Sequence, residues 1–386
     1  MTRSLLRHIG LAITLFGILA PTLASAQTSI PDRYPNLGAG ARPLGMGSAF
    51  ITMPGSDING QFYNPASADD FHQDWEFEVM DIFGQADSKS YSVFKDLRNM
   101  AKDISNSSTT NGKVSAFQTF FNQHVGQFVE IDSRIIPYAM RRKHFTGTVI
   151  AEANTVLSMR NPAFPNIQMK GTGDGGIFLS TAWELFEGFQ AGVAAKALYR
   201  MNIDTTVTTA DIIAQSKLQN IIGLKQWNKG IGGGADIGAK YTLPIWDSWA
   251  PVLGAVWQDI GDTRFKAFKS QNGGTPSRIK QSVTTAIGVH PELADFRLHI
   301  EFSASQLNQD MDFLLKTHGG VELECPRLGI FKLSLRTGVN QGYPTGGATL
   351  DFEHVKLTLL AYGEEAGLVK REKGIYHYGA ELNFPF

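Results

Sequence analysis

The chain has 386 residues, a formal net charge of −1 and a single cysteine, Cys325. The near-neutral charge leaves no electrostatic footprint for nucleic acid, and one cysteine cannot build an internal disulfide framework. Forty glycines and 11% aromatic residues in a chain only 42% hydrophobic point to a β-rich protein.

The first predicted element is an export signal. Arg3 and Arg7 precede an apolar stretch over residues 9–20, and Ala24-Ser25-Ala26 supplies small residues for a cut before Gln27. The run is too short to span a bilayer, and no cysteine near the cut offers a lipid attachment point. Residues 1–26 are therefore expected to be a cleaved signal peptide.

Behind it lies GAGARPLGMGSAFITMPGSDINGQFYNPAS, Gly38 to Ser67, with neither helical period nor clean alternation. Leu44, Met46, Phe50, Ile51, Met53, Phe62 and Tyr63 give it an apolar content that a disordered tail lacks. Its glycines permit left-handed turns and close backbone approach. Pro43, Pro54 and Pro65 block regular ladders. Residues 27–72 read as a plug, with Asn64-Pro65 fixing a turn against a wall.

From residue 73 onward the chain alternates. In RLHIEFSAS, Phe296, Leu298, Ile300 and Phe302 share one face; Arg297, His299, Glu301 and Ser303 share the other. Leu333 and Leu335 oppose Lys332, Ser334 and Arg336 in the same way, and Val193, Ala195, Ala197 and Tyr199 oppose Gln190, Lys196 and Arg200. A period of two marks a strand with two unlike faces. Strands are expected at 75–85, 128–139, 144–158, 174–186, 188–201, 230–243, 250–260, 279–290, 295–305, 314–324, 328–339, 345–353, 355–363 and 374–386. Their connections alternate: long at 86–127, 159–173, 202–229, 261–278 and 364–373, short at RRK, FEG, PELA, CPRLG and EH. Cys325 falls at one of these strand ends.

After residue 26 no apolar run is long enough for a membrane helix, but a membrane strand needs only about ten residues and shows only alternation. A soluble barrel of this many strands would be too wide for side chains to fill, and no linker divides the chain into two sandwiches. An up-and-down transmembrane β-barrel of about 14 strands over residues 73–386 satisfies its backbone groups by closing on itself. Its apolar face would meet lipid, and its charged face would line a wide, wet lumen.

The first long connection carries two helical stripes. Val93, Phe94, Leu97, Met100, Ala101 and Ile104 form one; Phe117, Phe120, Phe121 and Val125 form the other. The two helices can bury these stripes on each other as a cap, frame an apolar groove for a hydrophobic ligand, or do both. The groove reading would use Phe94, Leu97, Met100, Phe117, Phe120 and Phe121. A third short helix is expected within 209–222.

The chain ends YHYGAELNFPF. Tyr378, Gly379, Leu382 and Phe384, closed by Phe386, resemble the signal that barrel-assembly machinery reads on a last strand. Pro385 is a small departure, tolerable at a strand end.

The Gly38–Ser67 string itself resembles the N-terminal hatch of the FadL-like long-chain fatty-acid and aromatic-hydrocarbon transporters, and of the related PorV-like barrels. Gly45, Gly47, Asp57 and Asn64-Pro65-Ala66 carry the likeness; Asn161-Pro162-Ala163 repeats the tripeptide in a loop, so the tripeptide alone carries little. The resemblance implies a fourteen-stranded barrel in the bacterial outer membrane, closed by a hatch. It implies passive uptake of a hydrophobic small molecule captured at helical outer loops. The PorV-like alternative implies protein partners in secretion or surface attachment.

Catalytic signatures are missing: no G-x-S-x-G, H-E-x-x-H, paired zinc cysteines or P-loop occurs. No enzyme activity, cofactor or metal is expected. The lumen-facing Glu130, Asp132, Arg134, Glu152, Lys196, Arg200, Arg297, Glu301, Glu322, Lys332 and Arg336 mix both signs, which argues for cross-strand pairing over strong ion selectivity.

Overall fold

The computed structural model describes residues 37–55, 57–72, 75–160, 164–214, 222–245, 249–268, 274–367 and 372–386. The expected signal peptide and Asn161-Pro162-Ala163 lie outside the described residues. The strands are β1 (Glu76–Asp87), β2 (Phe128–Arg142), β3 (Phe145–Arg160), β4 (Asn166–Phe186), β5 (Phe189–Thr208), β6 (Asn228–Thr242), β7 (Val252–Gln258) and β8 (Arg264–Ala267). They continue with β9 (Ser282–Val289), β10 (Glu292–Leu293), β11 (Phe296–Ala304), β12 (Thr317–Leu328), β13 (Phe331–Asn340), β14 (Tyr343–Asp351), β15 (Lys356–Glu365) and β16 (Gly374–Asn383). Every pairing is antiparallel, between chain neighbours except for β7 on β9, β9 on β11, β8 on β6 and β16 back on β1. With the short β8 and β10 lying off the ring, fourteen strands close a barrel. Among the described residues no helix is long and apolar enough to cross a membrane.

All fourteen expected strands are present; what differs is their reach. β4 starts at Asn166 and β5 runs to Thr208, inside stretches expected to be loop, because the two pair with each other to their ends. The expected turn CPRLG is mostly strand: β12 passes through Cys325 on a bulge between Glu324 and Arg327 and turns at Gly329. The loop at 261–278 contains β8. The connection between β13 and β14, at the long-loop end, is only Gln341-Gly342. Bulges also flip phase inside strands. Beyond the irregularity at Ile135/Tyr138, Ala139 and Arg141 point inward while Tyr138 points out. At Met80 (φ 65°) a second break turns Val79 and Met80 outward together.

The seam between the ends of the chain is well made. β1 and β16 pair from Ile82↔Leu382 to Asp87↔His377. Phe77 and Phe386 then exchange both backbone hydrogen bonds, at 3.0 and 2.7 Å. Pro385, which has no N–H to donate, faces Glu78 in an isolated bridge beside the Met80 bulge. Of the expected assembly-signal residues, Tyr378 and Phe386 are exposed on the outer face, Gly379 faces inward beside Gln85, and Leu382 and Phe384 are half-buried along the seam.

The faces are inverted relative to a water-soluble protein. Ile177, Leu179, Val193, Ile237, Ile287, Phe302, Leu335 and Leu359 are exposed on the outside. Lys196, Arg200, Glu301, Glu322 and Arg336 are buried inside. Aromatic clusters gird the short-turn end, with Trp75 stacked on Phe77 and Phe186 on Phe189. Tyr343 and Tyr376 form an edge-on pair toward the other. Such a surface fits lipid with aromatic belts at its boundaries. Leu335→Arg is accordingly expected to cost about 2–4 kcal/mol in folding titrations into vesicles. The same change at the outward Thr345-flanking Pro344, nearer the rim, is expected to cost less; equal costs would contradict the assignment of depth.

Candidate functional site: the filled lumen

Residues 37–72 lie within the lumen, bonded to its walls. Nearly every described residue from Ala41 to Asp69 is buried. The segment forms two short helices, α1 (Ala41–Gly45) and α2 (Gly60–Tyr63), and a 3-10 turn over Pro65–Asp69. Asn64 sets the last turn: its Oδ1 accepts from Ala66 N at 3.0 Å, and its Nδ2 donates to Ile51 O at 3.0 Å and to Ala239 O of the wall at 3.2 Å.

Wall carboxylates hold the segment by its backbone. Glu301 accepts from Ile51 N (2.6 Å), Thr52 N (2.8 Å) and Thr52 Oγ1 (2.7 Å). Glu381 accepts from Ala41 N at 2.5 Å, and Glu152 from Gly38 N at 2.9 Å. Arg134, wholly buried, donates to Gly38 O, Asn59 Oδ1, Asp81 and Glu381 at 2.5–2.9 Å. Arg42 of the segment reaches the wall at Glu322 (2.8 Å) and Glu324 (3.2 Å) and also Asp57 (2.8 Å). Burial alone would raise the Asp57 carboxyl, but the Arg42 guanidinium overrides it and holds Asp57 below its ordinary range. The Arg42 guanidinium, despite burial, is held firmly charged by the three carboxylates.

Glycines on the inward face let the segment sit this close. A Cβ at Gly192 would lie 2.6 Å from the Pro65 carbonyl and Ala66 N, and one at Gly254 2.8 Å from the Ile51 side chain. A Cβ at Gly338 would lie 2.8 Å from the Met46 carbonyl carbon. On the segment itself Gly47 (φ +67°) passes 2.6 Å, at its missing Cβ, from Val339 O, so no side chain fits there. Gly45 O accepts from Thr345 Oγ1 at 3.1 Å. Gly192→Leu should therefore unseat residues 60–69, read as faster amide exchange there while strand amides stay protected. Unchanged exchange would mean the wall yields instead.

Part of the inward face is apolar, which charge alternation had not suggested. Ile150, Phe178, Leu198 and Phe265 form one patch, and Phe62 of the segment meets Phe178 edge-on at 5.1 Å. Lys196 lies over the Phe178 ring at 5.6 Å and Arg200 over Phe265 at 4.8 Å. Neither cation is uncommitted: Lys196 pairs with Asp236 (2.9 Å) and Asp259 (2.8 Å), Arg200 with Asp174 (2.6 Å).

Above the segment, at the long-loop end, stand α3 (Ser90–Asn106) and α4 (Thr110–His124). Asp87 starts α3 by accepting from Lys89 N (2.8 Å) and Ser90 Oγ (2.5 Å), and Thr109 caps α4 through Gly112 N (3.2 Å). His124 contacts Asp96 at 3.1 Å and ties the helices together. The six expected ligand residues are brought into one cluster: Met100, Phe117, Phe120 and Phe121 are buried, Phe94 and Leu97 half-buried. They pack on each other and on Val129, Leu157, Ile167 and Val207 of the wall. The described part of the expected third helix, α5 (Thr209–Ala214), adds Ile212.

Several members of this site were not named from sequence: Asp81, Asp174, Asp236, Asp259 and the wall glycines. A signal existed for the glycines. Gly192 is in phase with Gln190 and Lys196, Gly238 with Asp236 and Lys240, and Gly320 with His318 and Glu322. Leu198 likewise interrupts the polar phase of Lys196 and Arg200.

Comparison with solved structures gives the fold. The chain is similar to the CymD monoaromatic hydrocarbon channel (TM-score 0.51, 12% identity, 92% of this chain and 98% of that one). It is similar to a TodX deltaS2S3 mutant monoaromatic hydrocarbon channel (TM-score 0.50, 10% identity, 90% and 98%). No family model and no curated protein matches the chain. The resemblance read from residues 38–67 thus holds at the level of fold.

Proposed function

We propose that this chain, which carries the fold of monoaromatic hydrocarbon channels, is an outer-membrane route for passive uptake of neutral hydrophobic small molecules. Residues 37–72 act as its hatch. The observation that carries the choice of substrate is the pairing of the buried cations. Arg42, Arg134, Arg141, Lys196, Arg200 and Arg336 each have a carboxylate within 2.9 Å, and Lys240 is paired with Asp70. A fatty-acid headgroup would have to displace an internal carboxylate from any of these seven cations. A neutral aromatic molecule needs only apolar surface, which Phe62, Phe178, Leu198 and Phe265 supply.

In this reading the ligand first meets the apolar cluster of α3 and α4, whose helices part to admit it. It next replaces the Phe62 ring against Phe178, and leaves when the hatch shifts. The solute gradient supplies the free energy. The test is uptake into cells lacking other routes, comparing labelled toluene with labelled oleate. Toluene uptake that falls severalfold in Phe178→Ala, with little oleate uptake, is expected. Preferential oleate uptake would overturn the substrate class. No uptake of either, with a protein co-purifying through α3 and α4, would favour a secretion role.

A further inference from the structure

The outer surface over β5, β6 and β8 departs from the apolar band around it. We infer that it binds a phosphate-bearing lipid of the leaflet on the long-loop side, the headgroup on Lys229, Arg264 and Lys266 and an acyl chain in the hollow beneath. This rests on the membrane reading above and not on the transported substrate.

The geometry begins with a break in the wall. β7 ends at Gln258, and the chain leaves the ladder through Asp259, Gly261 and Asp262, all at positive φ (52°, 75° and 67°). The break is pinned: Ile260 N donates to Ala235 O at 3.0 Å and Thr263 Oγ1 to Asp259 at 2.5 Å. The chain then rejoins the same neighbour as β8, with Lys266 opposite Ile231 and Arg264 opposite Gly233. Phe265 between them is buried in the lumen, so Arg264 and Lys266 both stand on the outer face, where they are exposed. Phe268 N donates to Lys229 O at 2.9 Å, which sets Lys229 beside them.

These three cations have no carboxylate partner among the described residues. Three other exposed cations are paired, Arg278 with Asp262 (2.9 Å), Arg297 with Glu292 (3.1 Å) and Arg327 with Glu353 (3.5 Å), while Lys95, Arg98, Lys102, Lys143 and Lys225 are exposed outside the ladder; what sets this trio apart is its grouping on the outward face of paired strands. Cations next to an apolar membrane surface are drawn to phosphate headgroups, and three together fit a doubly charged one. Below Lys229 and Lys266, and level with Arg264, the surface is hollow. Ala197 pairs with Gly233 and Ala195 with Ala235, four small outward residues in a block, while Tyr199 and Ile231 stand above and Val193 and Ile237 below. Tyr199 and Phe268, rings 6.1 Å apart, mark the boundary level where a headgroup meets its chains.

Native mass spectrometry of the purified barrel in detergent with bisphosphorylated lipid A tests this. One lipid should be retained per barrel, with weaker retention of monophosphoryl lipid A and none of phosphatidylcholine. The triple change Lys229→Gln, Arg264→Gln and Lys266→Gln should weaken retention about a hundredfold. Ala195→Leu with Ala197→Leu, which fills the hollow and leaves the cations, should weaken it as well. Folding of each variant is checked by its heat-shifted gel mobility. Equal retention by the triple variant, or phosphatidylcholine held as well as lipid A, would overturn the site. Inorganic phosphate competing at equal concentration would make it a free-phosphate site and not a lipid one. A barrel that fails to transport toluene yet retains lipid A leaves this inference standing.

Discussion

Deleting residues 37–72 should leave a closed ring of strands that leaks. The ladders around the ring, from β1–β2 through to the β16–β1 seam, are made between strands. The deletion removes no rung of that ladder. It does strip Ile136, Ile150, Phe178, Leu198 and Phe265 of their apolar partners, so the variant should melt lower. The wall carboxylates that grip the hatch, Glu301 and Glu381 among them, become hydrated in a water-filled lumen and need no protein partner. In liposome swelling, small sugars should pass through the deletion variant at rates typical of an open pore, and through the intact protein barely at all. A deletion variant that stays sealed would assign closure to α3 and α4.

Arg42→Ala should unseat the hatch at neutral pH, and acid should partly reseat it. Removing Arg42 leaves Glu322 and Asp57 buried around an empty centre, although Arg336 still holds Glu322 at 2.6 Å. Breaking one side of a buried pair costs about 3–5 kcal/mol. That is enough to move a seated segment to a mostly unseated one. The sign of the pH dependence follows from Asp57. With Arg42 present, burial pushes Asp57 up but the guanidinium pulls it further down. The charged pair therefore stabilises seating above the ordinary carboxylate value, near about 3.9, and that contribution fades only as pH falls through the lower seated value. Without Arg42, burial is opposed only by Arg141 and the Asn59 N–H, and the carboxyl shifts toward the protonated acid. Leakage of Arg42→Ala should thus be high at neutral pH and fall toward pH 5, opposite to any acid-induced opening of the native protein. Leakage that is unchanged from the native protein, or that rises with acid, would remove Arg42 from the latch.

The period of two in residues such as 296–304 and 331–339 determined strand, face and lipid side by itself, because alternation is a local property and a membrane surface rewards it strand by strand. The order of short and long connections settled the meander, since antiparallel neighbours need only turns. The stripes of Phe117, Phe120 and Phe121 and of Val93 and Met100 placed two helices for the same local reason. What the sequence could not determine is which residues pair with which inside the lumen. Arg134 meets Glu381 across 247 positions of chain, and Thr52 meets Glu301 across 249. Such pairings exist only once the ring has closed and brought the first and last strands together. The role of Gly192 or Gly338 was equally hidden, because a glycine on an inward face has no meaning until another backbone is pressed against it.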